Sequence, residues 1–347
     1  MRNWGRLATA GSLFVGLASF SIPAQATEPP TAQAVQPGNW QVAEVGPAPT
    51  LPKPNSYGHV EPTLSGDVLF ADEYQADIRC WNGSTLVQIP RPNVPASARY
   101  SAVGGVSCTN FFVFDRQAVP QRWHWNGTAW SNAAAGTKYP VGIIRAFGAN
   151  NIWAFDTIIG EGLRFNGTTW QKVAMPTIQP DVLVGAATNN FWLLGTQSVS
   201  SSTKVAYRWN GSTWTQGTLP TTYTGFFHEA VEVSSSNLYV FGTNTAPGYL
   251  RFNGTAWVHE QMPGITKYVH GVAYGAGTVW VGTFNQFYRL TNGQWSEVTF
   301  PAVDNPYGLS IQDLATDPRS ETVFAGGYVG FGEGVQYPTI IKNVPVN

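Results

Sequence analysis

Three of the five histidines stand two residues after an aromatic side chain: Tyr57-Gly58-His59, Phe226-Phe227-His228 and Tyr268-Val269-His270. Glu229 adjoins the second of them. Imidazole changes charge close to neutral pH and is a common ligand of transition metals. Three rings brought together could hold such a metal or move a proton. Neutral, hydrogen-bonded histidines lining a cavity are the alternative without chemistry. Aromatic residues recur at the same point of the pattern as Tyr100, Tyr139 and Tyr307, where a ring can pack against the fold or stack on a ligand. Asp72, Asp115 and Asp156 form a second recurring set, with Thr196, Thr243 and Thr283 at the corresponding points farther along. These carboxylates either cap a loop or bind hydroxyl groups of a ligand. No paired-carboxylate motif, glycine-rich phosphate loop, nucleophile elbow or CxxC accompanies them. No catalytic residue can therefore be assigned, and no cofactor is expected apart from a transition metal at the histidines. The remaining histidines, His124 and His259, fall on outer strands and read as structural.

The elements that must position these residues announce themselves through a repeat. Asn-Gly follows an aromatic or bulky residue at Asn82, Asn126, Asn166, Asn210 and Asn253, and follows Thr291 at Asn292. Successive glycines lie 44, 40, 44, 43 and 39 residues apart. A period near forty residues marks one supersecondary unit stacked on its own copies. Asn-Gly between apolar runs predicts a tight hairpin of type I′, which needs positive φ at both central residues. Each unit holds four short strands, the second nearly all apolar, as in Phe111-Phe112-Val113-Phe114 and Phe191-Trp192-Leu193-Leu194. Such runs suit strands covered on both faces. Radial repetition of four-stranded antiparallel sheets is a β-propeller. Six units are complete, and the chain after Trp295 supplies three further strands. The segment Gly38-Asn39-Trp40-Gln41-Val42-Ala43 offers the missing fourth. The expected fold is all-β, a seven-bladed propeller closed by this N-terminal strand, with six blades plus an irregular C-terminal segment as the alternative.

The segment Leu238-Tyr239-Val240-Phe241-Gly242-Thr243, followed by Trp257 and Met262-Pro263, resembles a blade of the kelch and galactose-oxidase propellers. The Asn-Gly-Ser/Thr-x-Trp turn is also similar to the Asp-box hairpin of sialidase-like propellers, with Asn in place of Asp. Secreted bacterial propellers built on Trp-Asn-Gly-Thr-x-Trp are the nearest resemblance, which spans residues 37 to about 342 and implies a fold without an activity. The galactose-oxidase copper site finds no match among the Tyr and Cys residues, so that chemistry does not carry over.

Features present in every unit belong most economically to the scaffold. The Trp after each turn should pack between sheets, and Arg164, Arg208 and Arg251 should be structural. A sugar site in each inter-blade groove is the functional alternative. Five of the turns match an N-glycosylation sequon, which hairpin chemistry already explains.

Composition bounds the rest. Only 11% of the 347 residues are charged against 43% hydrophobic, with 14 Trp. The usual charged share is about 25%. No basic cluster is present, which speaks against nucleic acid as a partner. Residues 1–26 read as a signal peptide: Arg2 and Arg6 precede the apolar stretch Leu7 to Phe20, and Ala24-Gln25-Ala26 offers a cleavage site. Residues 27–36 read as a flexible linker and 37–347 as a single propeller domain. Cleavage near Ala26 would leave a secreted or periplasmic monomer without a membrane span. In such a compartment Cys80 and Cys108, on one face of adjacent blades, can form a disulfide. The expected function is that of a non-catalytic propeller binding a carbohydrate or cell-surface polymer. The alternatives are an enzyme with a histidine-lined channel mouth, and a platform for extracellular proteins using the loops Arg91 to Tyr100 and Pro301 to Tyr307. The ligand-binding candidates are Tyr57, His59, Phe226, His228, Glu229, Tyr268, His270, Asp72, Asp115 and Asp156.

Overall fold

In the computed structural model, residues 40–45, 57–72, 77–95, 99–242, 248–262, 268–283, 286–298, 309–330 and 336–345 are described. The proposed signal peptide and linker, the Pro301 to Tyr307 loop and Thr243 lie outside them. The described residues fold into 28 strands arranged as seven antiparallel four-stranded sheets. No helix among them is long and apolar enough to cross a membrane. Six blades run in sequence order, and the seventh joins the two ends of the chain. Its innermost strand is Leu309–Asp317, followed outward by Thr322–Gly330 and Gln336–Asn343, and Trp40–Val45 completes it. Trp40 pairs with Asn343 and Gln41 with Lys342. The chain is a seven-bladed β-propeller whose N-terminal strand closes the ring, so no sheet is left short of its outermost strand.

The tryptophan of the repeat explains how blades adhere. Trp170, on the outermost strand of blade 3, packs edge-on against Phe112 and Phe114 of blade 2. Trp214 meets Trp153, Trp257 meets Trp192, and Trp295 meets Phe241, in each case reaching back one blade. Trp40 does the same across the closure, stacked on Phe287 with centroids 4.5 Å apart and edge-on to Trp280. Two of the indoles also donate to a carbonyl of the preceding blade, Trp130 to Pro90 and Trp214 to Ala174. Each aromatic pair adds about 0.5–1.5 kcal/mol beyond area burial. Arg164 and Arg208 lie over Trp153 and Trp192 and donate to the Asn151 and Asn190 side chains, so both arginines serve the scaffold.

The hairpin turns depart from expectation. Among the six Asn-Gly turns, type I′ geometry forms once, where Thr291 pairs with Gln294 and both Asn292 and Gly293 have positive φ (51° and 75°). In the other five repeats the paired residues flank a four-residue loop, as Trp209 and Trp214 do. Only the glycine has positive φ there. The Asn side chain accounts for the difference. Asn210 Oδ1 accepts from the backbone N–H groups of Ser212 and Thr213, and Asn82, Asn126, Asn166 and Asn253 do likewise. An Asx turn of this kind satisfies two backbone donors at the loop.

Candidate functional site

Every innermost strand carries a β-bulge near its start. The register slips between Tyr57 and His59, Tyr100 and Ala102, Val141 and Ile143, Pro180 and Val182, Phe227 and Glu229, Val269 and Gly271, and Ile311 and Asp313. A bulge inserts one unpaired residue and re-aims the side chains beside it. The inserted residues form a ring at the mouth of the channel: Gly58, Ser101, Gly142, Asp181, His228, His270 and Gln312. The ring is lopsided. Blades 1 to 3 contribute two glycines and a serine, whereas blades 4 to 7 contribute an acid, two imidazoles and an amide.

This register corrects the spacing read from the sequence. His228 and His270 are bulge residues, but His59 lies one step farther along its strand, level with Glu229, Gly271 and Asp313. His228 and His270 meet with ring centroids 6.0 Å apart, and His59 does not occupy their position. The aromatic set divides as well. Tyr57 and Tyr100 are fully buried, opposite Asp72 and Asp115. Val141, Phe227 and Val269 take that place in blades 3, 5 and 6, which leaves Tyr139 outside the strand. Phe226 and Tyr268 come one residue before their strands and are each 56% exposed.

Around the pair of imidazoles lies a set of mutually perturbed charges. His228 Nδ1 is 3.2 Å from Glu229 Oε1. Loss of solvent pulls the His228 pKa below its ordinary value against the opposing pull of Asp181. His270 is lowered by burial and by His228. Burial raises Asp181 to about 6, although Lys204 and His228 oppose the change. Lys204 Nζ stands 3.8 Å from the centre of the Phe226 ring. Among the described residues neither that ammonium nor Asp181 Oδ2 has a hydrogen-bond partner. Farther down the channel, burial raises Glu61 to about 7, with Arg145 opposing. Glu229 rises through burial and the charge of Glu61, and Asp313 through burial, Glu229 and Glu61. His59 moves the other way, to about 4, through burial and the nearby Arg116. The channel can thus store protons on carboxyl groups while its histidines stay neutral. Asp181, Glu61, Asp313 and Arg145 were not apparent from spacing alone, because they do not recur from blade to blade.

The other sequence candidates are built into loops. Asp115 accepts from Trp123 Nε1, the Gln121 N–H and Gln117. Asp156 accepts from the backbone N–H groups of Ile158, Ile159 and Glu161. Asp72 is buried, and its backbone N–H donates to the Asp77 carbonyl. His124 bonds to Asn110 and stacks on Phe112, and His259 bonds to Thr222. Cys80 and Cys108 form a disulfide between blades 1 and 2, with Cα atoms 5.7 Å apart. Beside it Asp67 accepts from the Cys108 N–H and from Arg319 of blade 7. Among the described residues Asp67, Cys80 and Cys108 alone bring three possible metal-ligand atoms within 4.8 Å, and both sulfurs are committed to the disulfide.

No protein-family model matches the chain, and no curated protein sequence does. Solved structures share its fold. A catalytically inactive virginiamycin B lyase from Staphylococcus aureus, solved with quinupristin, superposes with a TM-score of 0.65 at 14% identity, covering 89% of this chain and all of the other. The WD40 repeats of RRP9 give 0.62 at 10% identity over 90% of this chain and 100% of that one. YCF48 bound to a D1 peptide gives 0.57 at 12% identity over 90% and 94%. At these identities the likeness is to the propeller repeat fold, and it does not extend to a kelch or Asp-box subtype.

Proposed function

We propose that the protein is an exported, non-catalytic propeller that captures a carbohydrate or cell-surface polymer at the mouth of its channel. The observation that carries this reading is the pair Phe226 and Tyr268. They are more than half exposed on adjacent blades, each two residues ahead of a mouth histidine. Exposed rings beside convergent polar groups suit the apolar face and hydroxyls of a sugar, and a mostly uncharged surface favours a neutral polymer. Export agrees with the leader-like N-terminus and with the disulfide. A glycan array, followed by calorimetry on any hit, tests the reading. Phe226→Ala and Tyr268→Ala should each weaken binding while leaving thermal unfolding unchanged. Binding that survives both substitutions overturns the assignment of the site.

The contact between His228 and Glu229 favours a second reading, an enzyme that uses the neutral imidazole as a base. Turnover of a bound glycan that His228→Ala abolishes would establish it. A silent array would turn attention to extracellular proteins; YCF48, a propeller of similar fold, was solved bound to a D1 peptide.

A further inference from the structure

Lys204 opens the third strand of blade 4, Lys204–Trp209, at the same end of the blade as Asp181, the bulge residue of the innermost strand. We propose that Lys204 is a covalent capture site for small apolar aldehydes, its amine condensing with the carbonyl to an imine while Asp181 serves as the acid. This chemistry does not require a sugar to bind at the mouth.

The surroundings of Nζ set this lysine apart. Lys172 is largely exposed and ion-paired with Glu161 at 2.7 Å. Lys204 Nζ is instead shielded from solvent and has no hydrogen-bond partner among the described residues. Its neighbours are aromatic rings, with the centre of Phe226 at 3.8 Å and that of Phe227 at 5.8 Å. Tyr223 stacks on Phe227, with centroids 5.4 Å apart, and fixes that wall. A ring face attracts an ammonium but offers it no acceptor. Burial therefore favours the neutral amine and draws the Lys204 pKa down, against the pull of Asp181. The neutral amine is the nucleophile of imine chemistry, and a desolvated lysine is its usual form.

Asp181 supplies the second requirement. Its Oδ2 is also buried without a hydrogen-bond partner among the described residues. Burial raises its pKa to about 6, so part of the population keeps its proton near neutral pH. Each group perturbs the other, yet the ammonium donates no hydrogen bond to the carboxylate. A carbonyl placed between amine and acid needs such an arrangement. The other titratable groups facing the pair are His228 and Tyr223 of blade 5.

The step balances without an oxidant or reductant. Lys204 Nζ adds to the carbonyl carbon, and the oxygen takes up the proton that the nitrogen sheds. Asp181 protonates the resulting hydroxyl, the C–O bond breaks, and water leaves as the nitrogen lone pair forms the C=N bond. An iminium cation and the Asp181 carboxylate result, side by side. Phe226 covers Nζ with one face but is 56% exposed, so rotation of this rim side chain admits the aldehyde. The Phe226 and Phe227 walls favour an apolar or aromatic body on it.

Timed incubation of the intact protein with benzaldehyde or D-glyceraldehyde, quenched by sodium borohydride and mapped by peptide mass spectrometry, tests the proposal. Nα-acetyllysine in the same solution serves as the reference amine. Lys204 should carry most of the label, ahead of Lys138, Lys172 and Lys342, and should prefer benzaldehyde more strongly than the reference does. Lys204→Arg keeps a cation on Phe226, so it should remove this excess label and retain the wild-type thermal transition. Asp181→Asn should slow labelling at pH 7 by about 100-fold. It should also abolish the fall in rate at high pH that the wild type shows once its acid is ionised. A merely structural role for Asp181 would slow the reaction alike at every pH. The proposal is overturned if Lys204 labels no faster than Lys138 and Lys172, if it shows no preference for benzaldehyde over the reference amine, or if Asp181→Asn keeps the wild-type pH profile.

Discussion

The Asp313 carboxylate accepts a hydrogen bond from the Val60 backbone N–H at 2.7 Å, across 253 residues of chain. The contact joins blade 7 to blade 1 at the channel wall. On the outside of the same seam, Arg319 donates to Asp67 and Trp81 donates to Asp317. The junction where the chain's ends meet is therefore held by polar contacts as well as by the strand pairing of Trp40 with Asn343. Asp313 also belongs to the carboxyl group cluster of the channel, which links closure of the ring to its state of protonation.

Stability should depend on pH through that cluster. The folded pKa of Glu61 is raised from 4.5 to about 7, so its favourable contribution is complete below pH 4.5 and disappears as pH rises through about 7. Glu61→Gln should accordingly raise the urea midpoint relative to wild type at pH 8 and give no gain at pH 4. His59 acts in the opposite sense. Its folded pKa is lowered from 6.5 to about 4, so its contribution is present above pH 6.5 and is lost as pH falls through 4. His59→Gln should flatten the acid side of the profile. A Glu61→Gln gain that is the same at pH 4 and pH 8 would contradict this account.

Closure should be the most sensitive part of the scaffold. Trp40 is 6% exposed and packed on Trp280 and Phe287. Trp40→Ala should cost about 3–5 kcal/mol, read from urea unfolding. Removing residues 37–46 should destabilise the whole ring, because blade 7 loses its outermost strand and Gln336–Asn343 becomes an open edge. Unchanged thermal unfolding of the truncated protein would contradict the closure.

The disulfide should stabilise through the unfolded chain. Its cysteines are 28 residues apart in sequence and staple blade 1 to blade 2. The Cys80→Ala, Cys108→Ala double variant should lose about 2–4 kcal/mol. Both sulfurs are buried, Cys80 completely, so mild reductant should leave the native bridge intact until the protein unfolds.

The turns show both the reach and the limit of sequence pattern. The Asn-Gly repeat and the Trp after it made the blades and their number legible, because each is a local signal repeated at fixed spacing. The loop type was less legible, since Asn can serve either through backbone φ or through its side-chain oxygen. Asn210→Ala, which removes the acceptor for two N–H groups, should cost about 1 kcal/mol, as for other lost caps. Asn292→Gly should be close to neutral, because that turn needs only positive φ at the position. Equal losses in urea unfolding for the two variants would contradict the distinction.

The mouth of the channel was harder to read for a related reason. The approach of His228 and His270 depends on the bulge placed alike in every inner strand, and no residue type marks that bulge. Gly58, Ser101, Gly142, Asp181 and Gln312 share the position with no common chemistry. Counting from the aromatic therefore put His59 with the other two histidines, one residue out of register. Glu61 and Asp313 escaped notice because their closeness arises from ring geometry, across blades far apart in sequence.

The titration of the two mouth histidines gives a direct test of that geometry. The pKa of His270 is lowered by burial and by the charge of His228, and that of His228 is lowered by burial while Asp181 pulls it up. Removing each neighbour should move its partner in a defined direction. His228→Ala should raise the NMR titration midpoint of His270, because a like charge is gone. Asp181→Asn should lower the midpoint of His228, because an attractive charge is gone. The two shifts have opposite sign, so a general loosening of the mouth, which would return both rings towards 6.5, cannot imitate them. His59 serves as the internal control, since its register places it away from the pair, and its midpoint should stay near 4 in both variants. If His228→Ala leaves His270 unmoved, the two rings do not share the mouth in solution.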